Sequence, residues 1–323
     1  MKKQFTNEEV LQAKQQMQKI AVSANREELI AQTINDVYDV EFPIQELIAK
    51  LFNVGSANAG EHVYYLVPKT IDKKVIVLTS DCLVTHEKVS PDSRSELSFT
   101  PVVTPDYYAC LQDLLNGDHD VLSLYADDAI EALNRKEIKN VLTLIDAGAV
   151  ARSNVFTLDS GDTKLTLPKL VAMKKAVRKY GKSLVLISGA NVSEDIELMD
   201  YDADKNRAIS VKDVVDEWIP IESLDVTVDG GAVDVIDDDV AYLVAVSDSK
   251  KNKPGYFYRR KISGSVIASA SDTQVVDKER AIIVTGNMKS VDTVDRFSRG
   301  FAGVEQIGAV LTNSYCCAKF TRS

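Results

Sequence analysis

The chain lacks the apolar runs of a membrane protein. No stretch of about 18 consecutive apolar residues occurs in the sequence, and a helix needs a run of about that length to span a bilayer. The first ten residues, MKKQFTNEEV, place no apolar run behind the two lysines, so no secretory signal peptide is predicted. We therefore expect a soluble chain of cytoplasmic origin that does not associate with membranes.

Cysteine is scarce. The chain has four cysteines, Cys82, Cys110, Cys316 and Cys317, which are too few and too dispersed for a disulfide framework or a zinc site. Reduced thiols are expected. The last two cysteines are adjacent in a predicted strand, in which neighbouring side chains point to opposite faces.

Groups for catalysis are also scarce and dispersed. The three histidines, His62, His86 and His119, fall in separate predicted elements, and no serine or cysteine stands in a nucleophile sequence such as G-x-S-x-G. The run 55–60 has the glycine spacing of a phosphate-binding loop, but Glu61 and His62 follow where lysine and a hydroxyl residue would be needed. We predict no catalytic residue and no cofactor.

Positive charge is in deficit. The sequence has 38 lysines and arginines against 48 aspartates and glutamates, a formal net charge of -10. Broad binding to nucleic-acid backbones needs clustered cations, so it is not expected. In YFYRRK, residues 256–261, strand alternation places Arg259 and Arg260 on opposite faces. That alternation dilutes any basic patch and favours surface or intersubunit salt bridges.

Apolar material is ample, and its longest helical pattern organises the chain. Hydrophobic residues make up 45% of the 323 residues, enough for the core of one large or two ordinary domains. A short helix is predicted to start near Asp106 and to end at Asn116-Gly117. A second helix, capped by Asp118 or Asp120, continues to Gly148 over about 40 Å.

The first hundred residues predict extensions. Residues 6–35 carry two helix-start signals and a narrow apolar stripe, which suits an arm that packs on a partner or on the body, or a loosely held terminal helix. A short helix is predicted at 44–52. Strands between 62 and 103 form an extended hairpin or meander, and its part at 85–98 is too poor in apolar residues to be ordered alone.

Residues 164–199 predict a compact α/β unit. A helix from Thr166 to Tyr180 precedes the continuous apolar strand LVLIS, residues 184–188, and a second helix follows at 191–199. Enzymes often place a site in the loop after such a strand, here 188–191. The last third is mostly β. Its predicted strands are 219–228, 234–236, 241–246, 256–263, 280–285 and 304–320.

One segment is similar to a metal loop. The oxygen-bearing side chains at the first, third, fifth, ninth and twelfth positions of a calcium loop would be Asp202, Asp204, Asn206, Ser210 and Asp213. Arg207 stands where the loop needs glycine, and Asp213 stands where it needs the longer glutamate. This makes calcium a weak candidate against a solvated turn. The acidic run 237–239 has the carboxylates to bind a divalent cation but is more simply a turn between strands.

Four segments resemble the major capsid protein of tailed bacteriophages, whose Johnson fold encapsulin shell proteins share. FTPVVTPDYYACLQDLL resembles the strand that ends the extended loop and the start of the spine helix, and DDAIEALNRKEIKNVLTLIDAG resembles the spine itself. LTLPKLVAMKKAVRKYGKSLVLISGANVSEDIELMDY is similar to the axial domain, and GFAGVEQIGAVLTNSYCCAKF to the last strands of the peripheral domain. Residues 200–220 fit no element of that pattern.

The resemblance implies an α+β fold in five parts. These are an N-terminal arm (1–52), an extended β-hairpin loop (53–104), the spine helix with peripheral domain (105–163), an axial α/β domain (164–250) and a return to the β-rich peripheral domain (251–323). It also implies a protein without enzymatic activity that assembles as pentamers and hexamers into an icosahedral shell.

That shell would enclose double-stranded phage DNA without sequence-specific binding. Partners would include a separate scaffolding protein and a portal, and the virion capsid would assemble in the cytoplasm of a bacterial host. Two alternatives remain open. One is an encapsulin-type compartment, and the other is a cytoplasmic α/β enzyme or calcium-responsive module that uses residues 188–213.

Overall fold

The computed structural model describes residues 46–67, 93–104, 119–206, 210–221, 235–246, 253–263, 278–284 and 301–322. The helices predicted at 6–35 and 106–116, and the middle of the predicted hairpin, lie outside these residues. The helices are α1 (Glu46–Leu51), α2 (His119–Ala151), α3 (Leu167–Val177) and α4 (Ala190–Asn206). The first six strands are β1 (Phe52–Ala57), β2 (Tyr64–Val67), β3 (Ser93–Glu96), β4 (Thr100–Val103), β5 (Val155–Thr157) and β6 (Ser183–Ser188). The others are β7 (Glu217–Pro220), β8 (Val240–Val246), β9 (Gly255–Arg260), β10 (Arg280–Val284), β11 (Phe301–Leu311) and β12 (Cys317–Thr321).

The first sheet is built around β11. This long strand pairs antiparallel with β9, β10 and β4, and β1 adds parallel to β9. Glu305 pairs with both Arg280 of β10 and Val102 of β4, so β10 and β4 lie on opposite sides of β11. Ile307 likewise has a partner on each side, Arg259 of β9 and Thr100 of β4. Strands β9 and β10 therefore follow each other along one side of β11.

The second sheet has the order β5-β12-β8-β6-β7. Every residue of β8, VAYLVAV, is buried, and β6 is buried beyond its first residue. Strands with continuous apolar sequence need cover on both faces, which is why helices accompany this sheet. The predicted helix, strand and helix at 164–199 are confirmed as α3, β6 and α4.

The long helix α2 joins the two sheets. It has 33 residues, about 50 Å of helix, and packs against β11 of the first sheet and β12 of the second. Its apolar stripe is buried, including Leu133, Val141 and Ile145, so the predicted long helix is confirmed. It does not end at Gly148 as predicted. A Cβ there would lie 2.3 Å from Leu311 Cδ2, so this glycine permits close packing instead of ending the helix.

The helix ends at Ala151, and the φ of Ser153, two residues later, is left-handed at 53°. The Ser153 amide donates to the Val150 carbonyl and the Asn154 amide donates to the Ala149 carbonyl, so the last turn is closed by backbone hydrogen bonds. No helix in the described ranges is both long enough and apolar enough to cross a bilayer.

Several predicted elements differ in the structure. Residues 200–220, which fitted no element, contain the end of α4 and the strand β7, whose pairing partner β6 is distant in sequence. Residues 235–236 form a bend where a strand was predicted. The stretch 304–320 is two strands, because a 3₁₀ turn at Ser314–Cys316 breaks it and β12 pairs with β8 in the second sheet.

The adjacent cysteines also differ from prediction. Cys316 ends the 3₁₀ turn and Cys317 begins β12, so the strand alternation expected for the pair does not apply. Both side chains are buried and free of disulfides, and their sulfur atoms lie 3.8 Å apart. The hydrogen bond between the two thiols, and then burial, raise the pKa of Cys317 well above its ordinary value.

Candidate functional site

Four charged side chains lie buried between α2 and the first sheet. Glu137 comes from α2, Arg259 from β9, Arg280 from β10 and Glu305 from β11, and each is essentially inaccessible to solvent. Arg259 and Arg280 pair with positions 307 and 305 of β11, two residues apart, so both point to the sheet face that α2 covers. We call these four residues the buried charge network.

Glu137 is the centre of the network. Its Oε1 accepts from Arg259 Nε at 2.6 Å and its Oε2 accepts from Arg259 Nη2 at 2.9 Å, a two-pronged pair. Arg280 Nη2 lies 3.1 Å from Glu137 Oε2, without hydrogen-bond geometry. One carboxylate of the long helix thus faces two guanidinium groups of two strands.

Arg280 extends the network to β11. Its Nε donates to Glu305 Oε2 at 2.7 Å, and its Nη1 donates to Asn134 Oδ1 of α2 at 2.7 Å. The other oxygen of Glu305, Oε1, is buried and has no hydrogen-bond partner among the described residues. Glu279, partly exposed, lies 3.7 Å from Arg259 Nη1 and adds a third carboxylate to the two cations.

This environment raises the pKa values of Glu305 and Arg259. Burial and then the charge of Glu137 raise the pKa of Glu305 to about 7, although Arg280 and Arg259 oppose the shift. Burial lowers the pKa of Arg259, but the hydrogen bond and charge of Glu137 more than offset it and the pKa is raised. Arg259 therefore stays charged, whereas Glu305 gains or loses its proton near neutral pH.

A smaller polar contact ties α2 to the second sheet. Asp146 Oδ1 lies 2.6 Å from Lys319 Nζ of β12 and accepts from the Tyr242 hydroxyl of β8 at 3.2 Å. Burial, then the neighbouring Asp146 carboxylate, raises the pKa of Tyr242. The long helix is thus fixed to each sheet by a carboxylate, Glu137 for the first sheet and Asp146 for the second.

The sequence pattern misassigned Arg259. Arg259 and Arg260 do face opposite sides of β9, as strand alternation requires, but the predicted surface or intersubunit salt bridge of Arg259 is wrong because its partner Glu137 is buried in the same chain. Arg260 instead donates to the Glu61 carbonyl at 2.5 Å and stacks 3.9 Å from the Phe99 ring centroid. A signal for the network exists in the sequence, since Glu137 interrupts the apolar stripe of α2.

The two histidines within the described residues, His62 and His119, lie in different elements. His62 forms an exposed contact with Glu96 across the β2–β3 pair. His86 lies outside the described residues, and His119 is the first residue of α2, so it belongs to a different element from His62.

The loop after β6 is filled by structural hydrogen bonds. Ser188 Oγ contacts Ser193 Oγ at 2.8 Å and accepts from Trp218 Nε1 at 2.8 Å. Asn191 donates to Asp239 Oδ1 at 2.9 Å, and the Asp239 amide donates to Asp237 Oδ1. The acidic run 237–239 is the predicted turn, and it holds the start of α4.

The calcium candidate takes a different conformation from a calcium loop. Asp202, Asp204 and Asn206 lie in the helical backbone of α4, whereas a calcium loop is not helical there. Ser210 Oγ accepts from the Lys212 amide, and Asp213 Oδ2 accepts from the Ser210 amide, so these two side chains form a capping box of a 3₁₀ turn. Among the described residues no three His, Cys, Asp or Glu side chains are grouped to hold a metal.

An open groove of about 670 Å³ lies between β4 and α2. Its described lining includes Thr100 and Val102 of the strand and Lys136, Asn140 and Thr143 of the helix. Lys136 is the one charged group in that lining, so the groove does not pair an acid with a base.

Comparisons with known proteins identify the fold. No protein-family profile and no curated protein sequence matches this chain. Among solved structures, a chain from Mycobacterium phage Bobi superposes with a TM-score of 0.53 at 11% identity, covering 89% of this chain and 97% of its own. A chain from Gordonia phage Cozz matches at 0.49 and 14% identity, covering 87% of both chains. The holo-SrpI encapsulin complex from Synechococcus elongatus PCC 7942 matches at 0.49 and 11% identity, covering 90% of this chain and 94% of its own. The superposition on the Mycobacterium phage Bobi chain confirms the resemblance seen in the sequence at the level of architecture, which is the Johnson fold.

Proposed function

We propose that this protein is the major capsid protein of a tailed bacteriophage, a coat subunit that assembles into an icosahedral shell around the genome. The observation that carries the proposal is the Johnson fold, shared over 89% of the chain with a phage chain. Shell subunits contact many copies of themselves through wide surfaces, which suits a protein of extended elements around two sheets.

The structure suggests how the parts would divide. We assign the first sheet and α2 to a peripheral domain, and the second sheet with α3 and α4 to an axial domain. Residues 251–316 would return to the peripheral domain, but 317–321 pair in the second sheet and go with the axial domain. The arm at 1–52 would reach neighbouring subunits by its part before α1, and the hairpin at 53–104 would do so by its part between β1 and β4, which join it to the first sheet.

The buried charge network would help to hold the long helix in place in such a subunit. A closed shell carries stress through its subunits, and the long helix can transmit it only if it is fixed to both sheets. Glu137 and Asp146 fix α2 at points nine residues apart, one on each sheet. We propose that these contacts keep the two domains in one relative orientation during assembly.

The proposed partners follow from charge and fold. Pentamers and hexamers of the same chain would form the shell, with a separate scaffolding protein and a portal. A subunit of net charge -10 would enclose double-stranded DNA without sequence-specific contacts. Assembly would take place in the cytoplasm of the bacterial host.

Negative-stain electron microscopy with size-exclusion chromatography and light scattering tests the proposal. We expect the purified chain to form shells, tubes or rings of five and six subunits, alone or with its scaffold. A monomer that persists at high concentration and with scaffold would refute the proposal. Particles that hold a protein cargo in place of nuclease-protected DNA would refute the phage assignment and favour an encapsulin-type compartment.

A further inference from the structure

Charge is sharply segregated along residues 163–204. Residues 163–193 contain seven lysines and arginines and no aspartate or glutamate, and residues 194–204 contain six acidic residues and no cation. The seven cations are Lys164, Lys169, Lys174, Lys175, Arg178, Lys179 and Lys182. In a chain with ten more acids than bases, such a block is a distinct feature.

Four of these cations are exposed near the end of α3. Lys175 lies in α3, Arg178 and Lys179 lie in the 3₁₀ turn that follows it, and Lys182 comes two residues after that turn. None of them forms an ion pair with a residue that the structure describes, whereas Lys169 is paired with Asp159 at 2.6 Å. We call these four residues the basic face.

Aromatic contacts hold the basic face in place. The Lys179 ammonium lies 4.9 Å from the Tyr180 ring centroid, and Tyr180 stacks on Tyr315 with centroids 5.2 Å apart. The Arg152 guanidinium lies 3.6 Å from the Tyr315 centroid, and Arg152 also donates to Ser314 Oγ at 2.8 Å. The cations therefore project from a rigid turn that is anchored to the end of α2.

The first turns of α4 carry the opposite charge. Glu194 and Glu197 are exposed and have no ion-pair partner in the described part of the chain, and the exposed Leu198 lies beside them. Asp195, between them, is buried and accepts from the Leu165 amide at 2.8 Å, so it is used inside the fold. We call Glu194, Glu197 and Leu198 the acidic face.

The basic face and the acidic face belong to the same α/β unit, but their charges are not paired with each other. No ion pair joins α3 to α4 among the described residues. Subunits that each carry a net charge of -10 repel one another, and this repulsion opposes close packing. A contact between unlike faces of successive copies would offset it, and such head-to-tail contacts close into rings when the rotation permits.

We propose that the basic face of one subunit docks on the acidic face of a second copy of this chain. The inference rests on the proposed shell function and specifies one contact within it. Charge complementarity carries it, since the unpaired cations lie at the end of α3 and in the turn after it, and the unpaired carboxylates lie on α4, the next helix along the chain. The exposed Leu198 would be covered in the same contact.

Charge reversal in both faces tests the contact. Lys175→Glu with Arg178→Glu should lower the assembled fraction at low salt at least about tenfold, because like charges then face each other. Glu194→Lys with Glu197→Lys should do the same. A chain carrying all four changes restores unlike faces and leaves the net charge unchanged, so its assembly should return to within about threefold of wild type.

Controls separate the possible outcomes. Lys136→Glu with Lys139→Glu on α2 changes the net charge as much as the basic-face variant and should assemble like wild type, and circular dichroism should show that every variant is folded. A folded four-fold variant that stays unassembled would overturn the inference. Reversed single faces that assemble normally would also overturn it, and loss of bound double-stranded DNA alone would identify the basic face as a nucleic-acid surface. A wild-type chain that never assembles would refute the proposed function itself, and the inference with it.

Discussion

Arg259 and Glu137 are joined by two parallel hydrogen bonds, although 122 residues separate them and neither side chain reaches solvent. The pair connects strand β9 of the first sheet to the long helix α2. Taking two charges out of water is costly, and the attraction between them offsets that cost. Removal of one partner therefore leaves the other charge buried and uncompensated. The same geometry makes the removal of one partner a sensitive test of the fold.

We expect Glu137→Gln to destabilise the subunit by about 3 to 5 kcal/mol, because the buried guanidinium of Arg259 would lose the carboxylate that accepts its two hydrogen bonds and keep only the more distant Glu279. Chemical denaturation of the unassembled chain measures the loss. Glu46→Gln is the control, since the exposed Glu46 pairs with Lys50 one turn away on α1. That change should cost less than about 0.5 kcal/mol, and equal losses for the two variants would contradict a buried role for Glu137.

The protonation of Glu305 predicts a pH dependence of stability. Its pKa in the fold is about 7, raised mainly by burial and further by Glu137, with Arg280 and Arg259 opposing. A carboxyl group with a raised pKa stabilises the fold fully below its unfolded pKa, and this contribution is lost as pH rises through 7. The free energy of unfolding should therefore fall between pH 5 and 8, by on the order of 3 kcal/mol.

Glu305→Gln should remove that decline, because glutamine does not titrate. The measurement is urea denaturation at a series of pH values for the wild type and the variant. Glu197→Gln, at an exposed position, should keep the wild-type slope. If wild type and Glu305→Gln showed the same slope between pH 5 and 8, Glu305 would not be the titrating group.

The helices were predictable because their signals are local. Apolar residues at three- and four-residue spacing define α2, and the apolar run at 184–188 defines β6 between two helices. Each pattern lies within one continuous segment. Such an apolar pattern predicts the type of secondary structure even when the elements that pack against it are unknown.

Pairing between distant strands was not predictable in the same way. The short strand β7 forms because residues 217–220 pair with β6, about thirty residues earlier in the chain. Most of its side chains are half-buried, so it has no continuous buried apolar run of its own. The break between β11 and β12 depends on which sheet each strand joins. The role of Arg259 depends on Glu137, which lies far away in the sequence. The one signal of this pair in the sequence is that Glu137, a charged residue, interrupts the apolar stripe of α2.

Substitution of Gly189 is predicted to destabilise the fold because backbone atoms surround this residue. A Cβ at this position would lie 2.3 Å from the Asp237 carbonyl oxygen and 2.7 Å from the Asp238 Cα. Neither atom can move without opening the 237–239 turn that holds α4. We expect Gly189→Ala to cost more than about 2 kcal/mol, measured as a loss of unfolding free energy.

Gly303→Ala is the control for that prediction. Its added Cβ would meet the Ala129 Cβ at 3.2 Å and the Thr104 Cγ2 at 3.3 Å, which are side-chain atoms that can shift slightly. The cost should be clearly smaller than for Gly189→Ala. A Gly189→Ala variant as stable as Gly303→Ala would show that the turn adjusts.

The single tryptophan provides a probe of the second sheet. Trp218 lies on the edge strand β7, and its indole N–H donates to Ser188 Oγ at 2.8 Å. Ser188 is fully buried, and its hydroxyl also contacts Ser193. Replacing Ser188 by alanine should therefore leave the indole N–H without its partner and cost about 1 to 3 kcal/mol.

Tryptophan emission follows this change directly because no other tryptophan contributes. Ser188→Ala should lower the denaturation midpoint read from Trp218 fluorescence, and Ser193→Ala should lower it less, since it leaves the indole bond intact. Circular dichroism follows the helices in the same experiment. Because β7 is held to the fold through β6, we expect the fluorescence midpoint of Ser188→Ala to fall at or below its circular dichroism midpoint. A fluorescence midpoint equal to that of wild type would show that the hydrogen bond does not stabilise this edge.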